Sequence, residues 1–311
     1  ARANDSGLAT FDSLVIAAST SSTITVSFQV TFTPLAGGTK TVTSSGTVVT
    51  LTPGAPTQMA INSTSQSQAN RSTLSQLVVR LLDAYGNQSL NRTGTISAVI
   101  GSGSGASLIG TTNSAVATGS NVAAVATFSN LALRGTVGQF RLDFSYSSAG
   151  VTSVSHTVTL TPGAATRIAL DTAAAGARAG IAFATQPRLT LRDADDNVVP
   201  SNVSVSASIT SPTLSGTTEI ALEAGYATFS NLAYANSIGT RTLSYAVTAP
   251  AGMTALSTSQ SLTLTAGTPY KLVWATNLVD RKSTEDQSAQ RVELRDEWDN
   301  LTSQSASVSV Q

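Results

Sequence analysis

A chain of 311 residues has room for one large domain or for two to three ordinary ones. Its 17 Lys and Arg balance its 17 Asp and Glu, charged residues make up only 11% of it, and Cys is absent. Zero net charge removes the basic surface that nucleic acid or an anionic membrane would need, and zero Cys removes disulfide scaffolds, thiolate chemistry and Cys-ligated zinc. With 44 Ser and 46 Thr interleaved with Val, Leu and Ile, the composition is that of strands. No apolar run reaches the roughly 18–20 residues of a spanning helix, so no membrane insertion is expected in this segment. The start, Ala1-Arg2-Ala3, lacks Met and a signal-peptide core, which predicts a processed chain or a fragment.

In chain order, ATFDSLVI at 9–16 leads into the alternating run SSTITVSFQVTF and closes on VVTL at 48–51. TPGAPTQMAI follows at 52–61, then LLDAYGN at 81–87, ATFSNLAL at 126–133, the alternating GQFRLDFSY, and TVTL at 157–160. The same blocks return as TPGAATRIAL at 161–170, LRDADDN at 191–197, ATFSNLAY at 227–234, GTRTLSYAV and SLTL. A last, partial set holds TAGTPYKLVW at 265–274 and LRDEWDN at 294–300. The opening blocks start at 52, 161 and 265, which are 109 and 104 residues apart, and ordered blocks at such a spacing define a tandem array. Within each copy the apolar residues recur with period two and Gly, Asn, Ser and Pro punctuate them. About seven short strands per ~105 residues predict tandem immunoglobulin-like β-sandwiches, an all-β fold. The expected division is 1–51 (the C-terminal part of a sandwich), 52–160, 161–264, and 265–311 (the N-terminal part of one). VTLTPGA leaves no spare residues between copies and Pro53 and Pro162 fix φ, so a stiff, rod-like array is expected, with more bending where Ala266 replaces Pro.

Residues able to carry chemistry are few. His156, the only His, lies in the alternating VSHTV at 154–158, where an outward-facing ring is expected and a catalytic triad is not. Gly101-Ser102-Gly103-Ser104-Gly105 lacks the Lys-Ser/Thr of a phosphate loop and reads as an inter-strand loop. Asp193, Asp195, Asp196 and Asn197 crowd carboxylates and an amide into one turn. They make a weak calcium candidate beside the structural alternative, an Asx turn whose side chains bond nearby amides. No other cofactor is expected. Trp274 and Trp298 could form an exposed binding patch, but Trp274 is expected in the core, at the position of Ile61 in the first full copy. Asn-x-Ser/Thr sequons, among them Asn70, Asn87 and Asn300, arise by chance in so Ser/Thr-rich a chain.

Asp83-Ala84-Tyr85-Gly86-Asn87, the later Ala-Thr-Phe strand and the closing Gly-x-x-x-Leu-x-Phe run resemble the bacterial Ig-like tandem repeats of large cell-surface proteins, such as invasin- and intimin-type adhesins and surface-layer proteins. Asp196 and Asp299 stand where that pattern has Gly, and Asp tolerates the left-handed turn better than most residues. The resemblance implies a fold and a habit of tandem display, with no ligand attached. The expectation is a non-enzymatic structural protein of a prokaryotic cell surface (surface layer, sheath or extracellular filament) that self-associates with other copies. The alternative is an adhesin stalk whose binding tip lies elsewhere.

Overall fold

The computed structural model describes residues 7–18, 23–210, 214–248, 255–276, 280, 283, 285 and 290–309. The chain divides into two compact units, Ala1–Thr161 and Pro162–Gln311. All regular elements among the described residues are strands, and the full sandwich in each unit is Ig-like.

In the first unit, β1 (Thr23–Val26), β2 (Gln29–Phe32), β3 (Lys40–Thr43) and β4 (Thr47–Thr50) form a hairpin interrupted midway, β1 pairing with β4 and β2 with β3. Next come β5 (Gln58–Ile61), β6 (Ser65–Ala69), β7 (Leu77–Leu82), β8 (Thr95–Ser102), β9 (Ala106–Ile109), β10 (Asn113–Ala115), β11 (Val125–Phe128), β12 (Ala132–Gly135), β13 (Gly138–Tyr146) and β14 (Val154–Thr161). They build a five-stranded sheet in the order β10-β8-β13-β14-β6 and a three-stranded sheet β11-β7-β5, with β12 and β9 as a small separate pair. β13 shows how the sequence sets this up: Phe140, Leu142 and Phe144 are buried, while Arg141 and Asp143 between them point outward and pair at 2.8 Å. Inward residues of both sheets meet in one core, where the Phe128 and Phe144 rings contact edge-on at 5.2 Å.

His156 departs from the expectation of an outward ring. It is fully buried, because its phase along β14 is that of Val158 and Leu160. Its Nδ1–H donates to the Ser63 carbonyl at 2.8 Å, and its buried Nε2 has no hydrogen-bond partner. The second copy places Gln260 at the same distance before its closing Leu264, and Gln260 likewise ties down an earlier segment through the N–H and C=O of Ala174. Burial holds the His156 imidazole below its ordinary 6.5, against the Ser63 carbonyl, which favours the charged form. The unfolded chain therefore takes up a proton first as pH falls below 6.5, and this sandwich loses stability from there downward. His156→Gln is expected to remove that decline, as read by urea unfolding between pH 7 and pH 5. An equal decline in the variant would sink this account.

The second unit holds β15 (Arg167–Thr172), β16 (Arg188–Arg192), β17 (Ser204–Ile209), β18 (Leu214–Ser215), β19 (Glu219–Ala221), β20 (Tyr226–Thr228), β21 (Ala233–Tyr234), β22 (Gly239–Thr248) and β23 (Ser257–Leu264). Sheets β15-β16-β20 and β19-β17-β22-β23 repeat the plan of the first sandwich around a second core. Ala174, Ala177 and Ala179 are buried in it. The last two strands, β24 (Lys271–Trp274) and β25 (Val292–Arg295), form a two-stranded antiparallel sheet among the described residues.

The partial copies carry exposed apolar faces. Phe11 and Phe28 stack at 4.8 Å yet stay 48% and 46% exposed. Trp274 is 52% exposed rather than in a core: among the described residues of 265–309 only the β24–β25 pair is formed, and no second sheet covers it. Gly101 and Ser102 complete β8, and Gly103 and Gly105, with φ of 100° and 86°, make the tight turn into β9.

Candidate functional site

The feature common to all three copies is the Asp-x-x-x-Asn turn that follows β7, β16 and β25. Its Asp is buried each time: Asp83, Asp193 and Asp296 are 4%, 2% and 0% exposed. In the first copy Asp83 accepts the backbone N–H of Gly54 at 2.9 Å, of Tyr85 at 2.9 Å and of Asn87 at 2.9 Å, and the Asn87 side-chain amide at 3.1 Å. Asp193 accepts Gly163, Asp195 and Asn197 N–H at 2.9, 3.0 and 2.9 Å, plus the Asn197 amide. Asp296 accepts Gly267, Trp298 and Asn300 N–H at 2.8, 2.9 and 2.9 Å, plus the Asn300 amide. One carboxylate thus closes its own turn and pins the Gly that opens its copy. Burial alone would raise the Asp83 and Asp296 carboxyls. The hydrogen bonds from the opening Gly, the Asn side chain and the turn amides outweigh it and hold both below the ordinary 3.8.

The third turn residue has a left-handed backbone throughout: Gly86 at φ 81°, Asp196 at 72° and Asp299 at 68°. The Gly-to-Asp exchange is matched by charge on the facing strand. Where Gly86 stands, Gln58 donates to the Asp83 carbonyl. Where Asp196 stands, the matching residue is Arg167, which pairs with it, and Arg192 lies 3.9 Å away. Opposite Asp299 the matching residue is Lys271, at 2.8 Å; it, with Arg295, holds the Asp299 carboxyl below its usual range. Arg192 and Arg295 also donate to the carbonyls of Asp196 and Asp299, at 2.9 and 2.8 Å.

This geometry bears on the calcium candidate. Asp193, Asp195, Asp196 and Asn197 are neighbours in the turn, but N–H groups occupy the lone pairs of Asp193, and Asp196 faces two arginines. Ca²⁺ takes six to eight oxygen ligands, and this donor set does not fit it. Among the described residues no group of three or more His, Cys, Asp or Glu side chains converges as a metal site. The amides of Asn70 and Asn300 are buried, which leaves no room there for a glycan. Trp298 packs against the core of the preceding copy instead of standing in an exposed patch with Trp274. The partners that sequence reasoning missed are backbone amides: Gly54, Gly163 and Gly267 lie 29, 30 and 29 residues from their Asp. The recurring TPG and TAG were the signal for them.

No family model matches the chain, and no curated protein does. Among solved structures it is similar to the D00-D0 domain of intimin, with 15% identity and a TM-score of 0.34 over 67% of this chain and 99% of that one. InvD of Yersinia pseudotuberculosis gives 15% identity and a TM-score of 0.31 over 79% and 71%. Domains 4–9 of the surface layer protein SbsC give 16% and 0.26 over 89% of this chain, which spans 42% of theirs. Likenesses of this degree say nothing about what the chain binds. No helix among the described residues is long and apolar enough to cross a membrane.

Proposed function

We propose that this chain is a non-enzymatic structural part of a prokaryotic cell surface, in a surface layer, sheath or extracellular filament. In this reading residues 52–160 and 161–264 are full Ig-like repeats, 1–51 the closing part of one and 265–311 the opening part of another. The observation that carries it is the threefold Asp-x-x-x-Asn turn, which each time pins the Gly opening its copy directly after the closing strand of the copy before. Such a joint fixes the first residues of each copy to that copy's own sandwich, as a tandem structural array requires. Self-association with other copies belongs to the proposal. Apolar side chains left uncovered in the partial copies support it, because their counterparts in the first full copy share one core. Counterparts of Phe11 and Leu14 (Phe128 and Leu131) pack in the same cluster as counterparts of Leu272 and Leu294 (Met59 and Leu81). Electron microscopy of the chain at high concentration, with and without a calcium chelator, tests this. Ordered sheets or filaments are expected in both conditions. A chain that stays monomeric favours the adhesin stalk, and order lost with the chelator restores the calcium site at Asp193.

A further inference from the structure

The Asp side of each turn faces its own copy; in the first and third turns the Asn side faces the copy before it. Asn87 Nδ2 donates to the carbonyl of Ala18 at 3.0 Å, and Asn300 Nδ2 donates to the carbonyl of Asn236 at 2.9 Å. Ala18 and Asn236 occupy the same place in their copies, each seven residues after the Phe of Ala-Thr-Phe. The same bond therefore forms at two separate junctions, one inside each compact unit. At the second junction Asn300 Oδ1 also accepts the N–H of Ile238 at 2.9 Å, so one side chain satisfies both a donor and an acceptor of the preceding loop.

A ring stands beside the Asn at both junctions, two residues after the Asp. Tyr85 lines a cleft with Ile16, Ala17 and Ala18 of the preceding copy. Trp298 lies so close over Gly180 that a Cβ there would fall 1.9 Å from its ring, and Gly180 has φ +71°. The second junction lacks the Pro of the others, but Arg178 donates to the carbonyls of Ala266 and Gly267 at 3.3 Å each, and Thr265 exchanges backbone bonds with Ala177 and Ala179.

We infer that at these two junctions the Asn of the turn, with the ring two residues after the Asp, is a docking site for the preceding copy, and that this pair sets the angle between the two copies that meet there. The Asp-x-x-x-Asn turn is then a two-sided latch, with Asp holding its own opening segment and Asn holding the neighbour's loop. Contiguous domains with small polar interfaces move freely by default, and a paired hydrogen bond with an inserted ring is what restrains them. The inference goes beyond the surface-array proposal and holds wherever the array is displayed.

The absence of native Cys permits a clean test. Nitroxide pairs on exposed Lys40 and Ser104 report the first junction, and pairs on exposed Thr242 and Ser305 report the second. Asn87→Ala should broaden the first distance distribution roughly two-fold, and Asn300→Ala the second, each leaving the other junction narrow. Gly180→Ala, which blocks the seat of Trp298 without touching the turn's own bonds, should also broaden the second. The amide NMR signals of Gly54 and Gly267, held by the carboxylates, should persist in all three variants. Unchanged widths with those signals intact would overturn the inference. So would broadening that appears only when the signals are lost, since that marks collapse of the turn and not release of a neighbour.

Discussion

Asp83→Asn is expected to lower the stability of the β5–β14 sandwich by about 3–5 kcal/mol, the range for removing one partner from a buried, charged hydrogen-bond network. The substitution keeps the shape and one acceptor oxygen but turns an NH₂ either toward the Gly54 N–H and the Asn87 side-chain amide, which share Oδ2, or toward the Tyr85 and Asn87 N–H groups, which share Oδ1. The loss depends on pH with a defined sign. A carboxyl held below 3.8 in the folded state contributes stability that is complete above that value and fades as pH falls through the folded value. Parent and variant should therefore differ most near neutrality and converge in strong acid. That window is distinct from the His156 effect, which begins at 6.5. Urea unfolding at pH 7 and near pH 3 separates the two. A variant within about 1 kcal/mol of the parent at pH 7 would show that the carboxylate's charge is not what holds the turn.

The repeat, the strands and the turn could all be read from the sequence, because block order and period-two alternation are local signals. Phe128, Leu131, Phe229 and Leu232 are buried as their phase requires. The same phase placed His156 inward with Val158 and Leu160; reading it as outward gave the ring's polarity too much weight against its register. The turn carboxylates looked like a metal cluster for a similar reason. Sequence displays Asp193, Asp195 and Asp196 side by side, whereas the groups that satisfy them are a backbone amide 30 residues away and an arginine on a neighbouring strand. Backbone donors carry no side-chain signature. The charge exchange across the turn was visible in principle: Gln58, Leu82 and Gly86 change together to Arg167, Arg192 and Asp196, and to Lys271, Arg295 and Asp299. Only the pairing of β15 with β16 and of β24 with β25 shows these positions to be neighbours. The reach of Asn87 and Asn300 into the preceding copy has no local signal at all.

Phe229→Ala should destabilise the β15–β23 sandwich by about 3–5 kcal/mol, the usual loss for a buried aromatic cut back to a methyl. Phe229 is 1% exposed, and its ring lies 6.1 Å from that of Tyr245, itself fully buried. The cavity would open where β20 meets β22 across the core. For a sandwich of about 100 residues this amounts to a fall in Tm of roughly 15–30 °C. Hydrogen exchange should show protection lost in β17, β22 and β23 together, with β8, β13 and β14 unaffected. Phe11 supplies the internal control. It holds the same Ala-Thr-Phe position and keeps the same aromatic contact, with Phe28, but is 48% exposed, so Phe11→Ala should cost about 1 kcal/mol or less. Ala-Thr-Phe is the same in the two places, while the burial of its Phe differs from 48% exposed to 1%. Equal losses from the two substitutions would mean that residues 7–51 bury Phe11 against another surface in solution, and a small loss at Phe229 would contradict the register of β20 against β16.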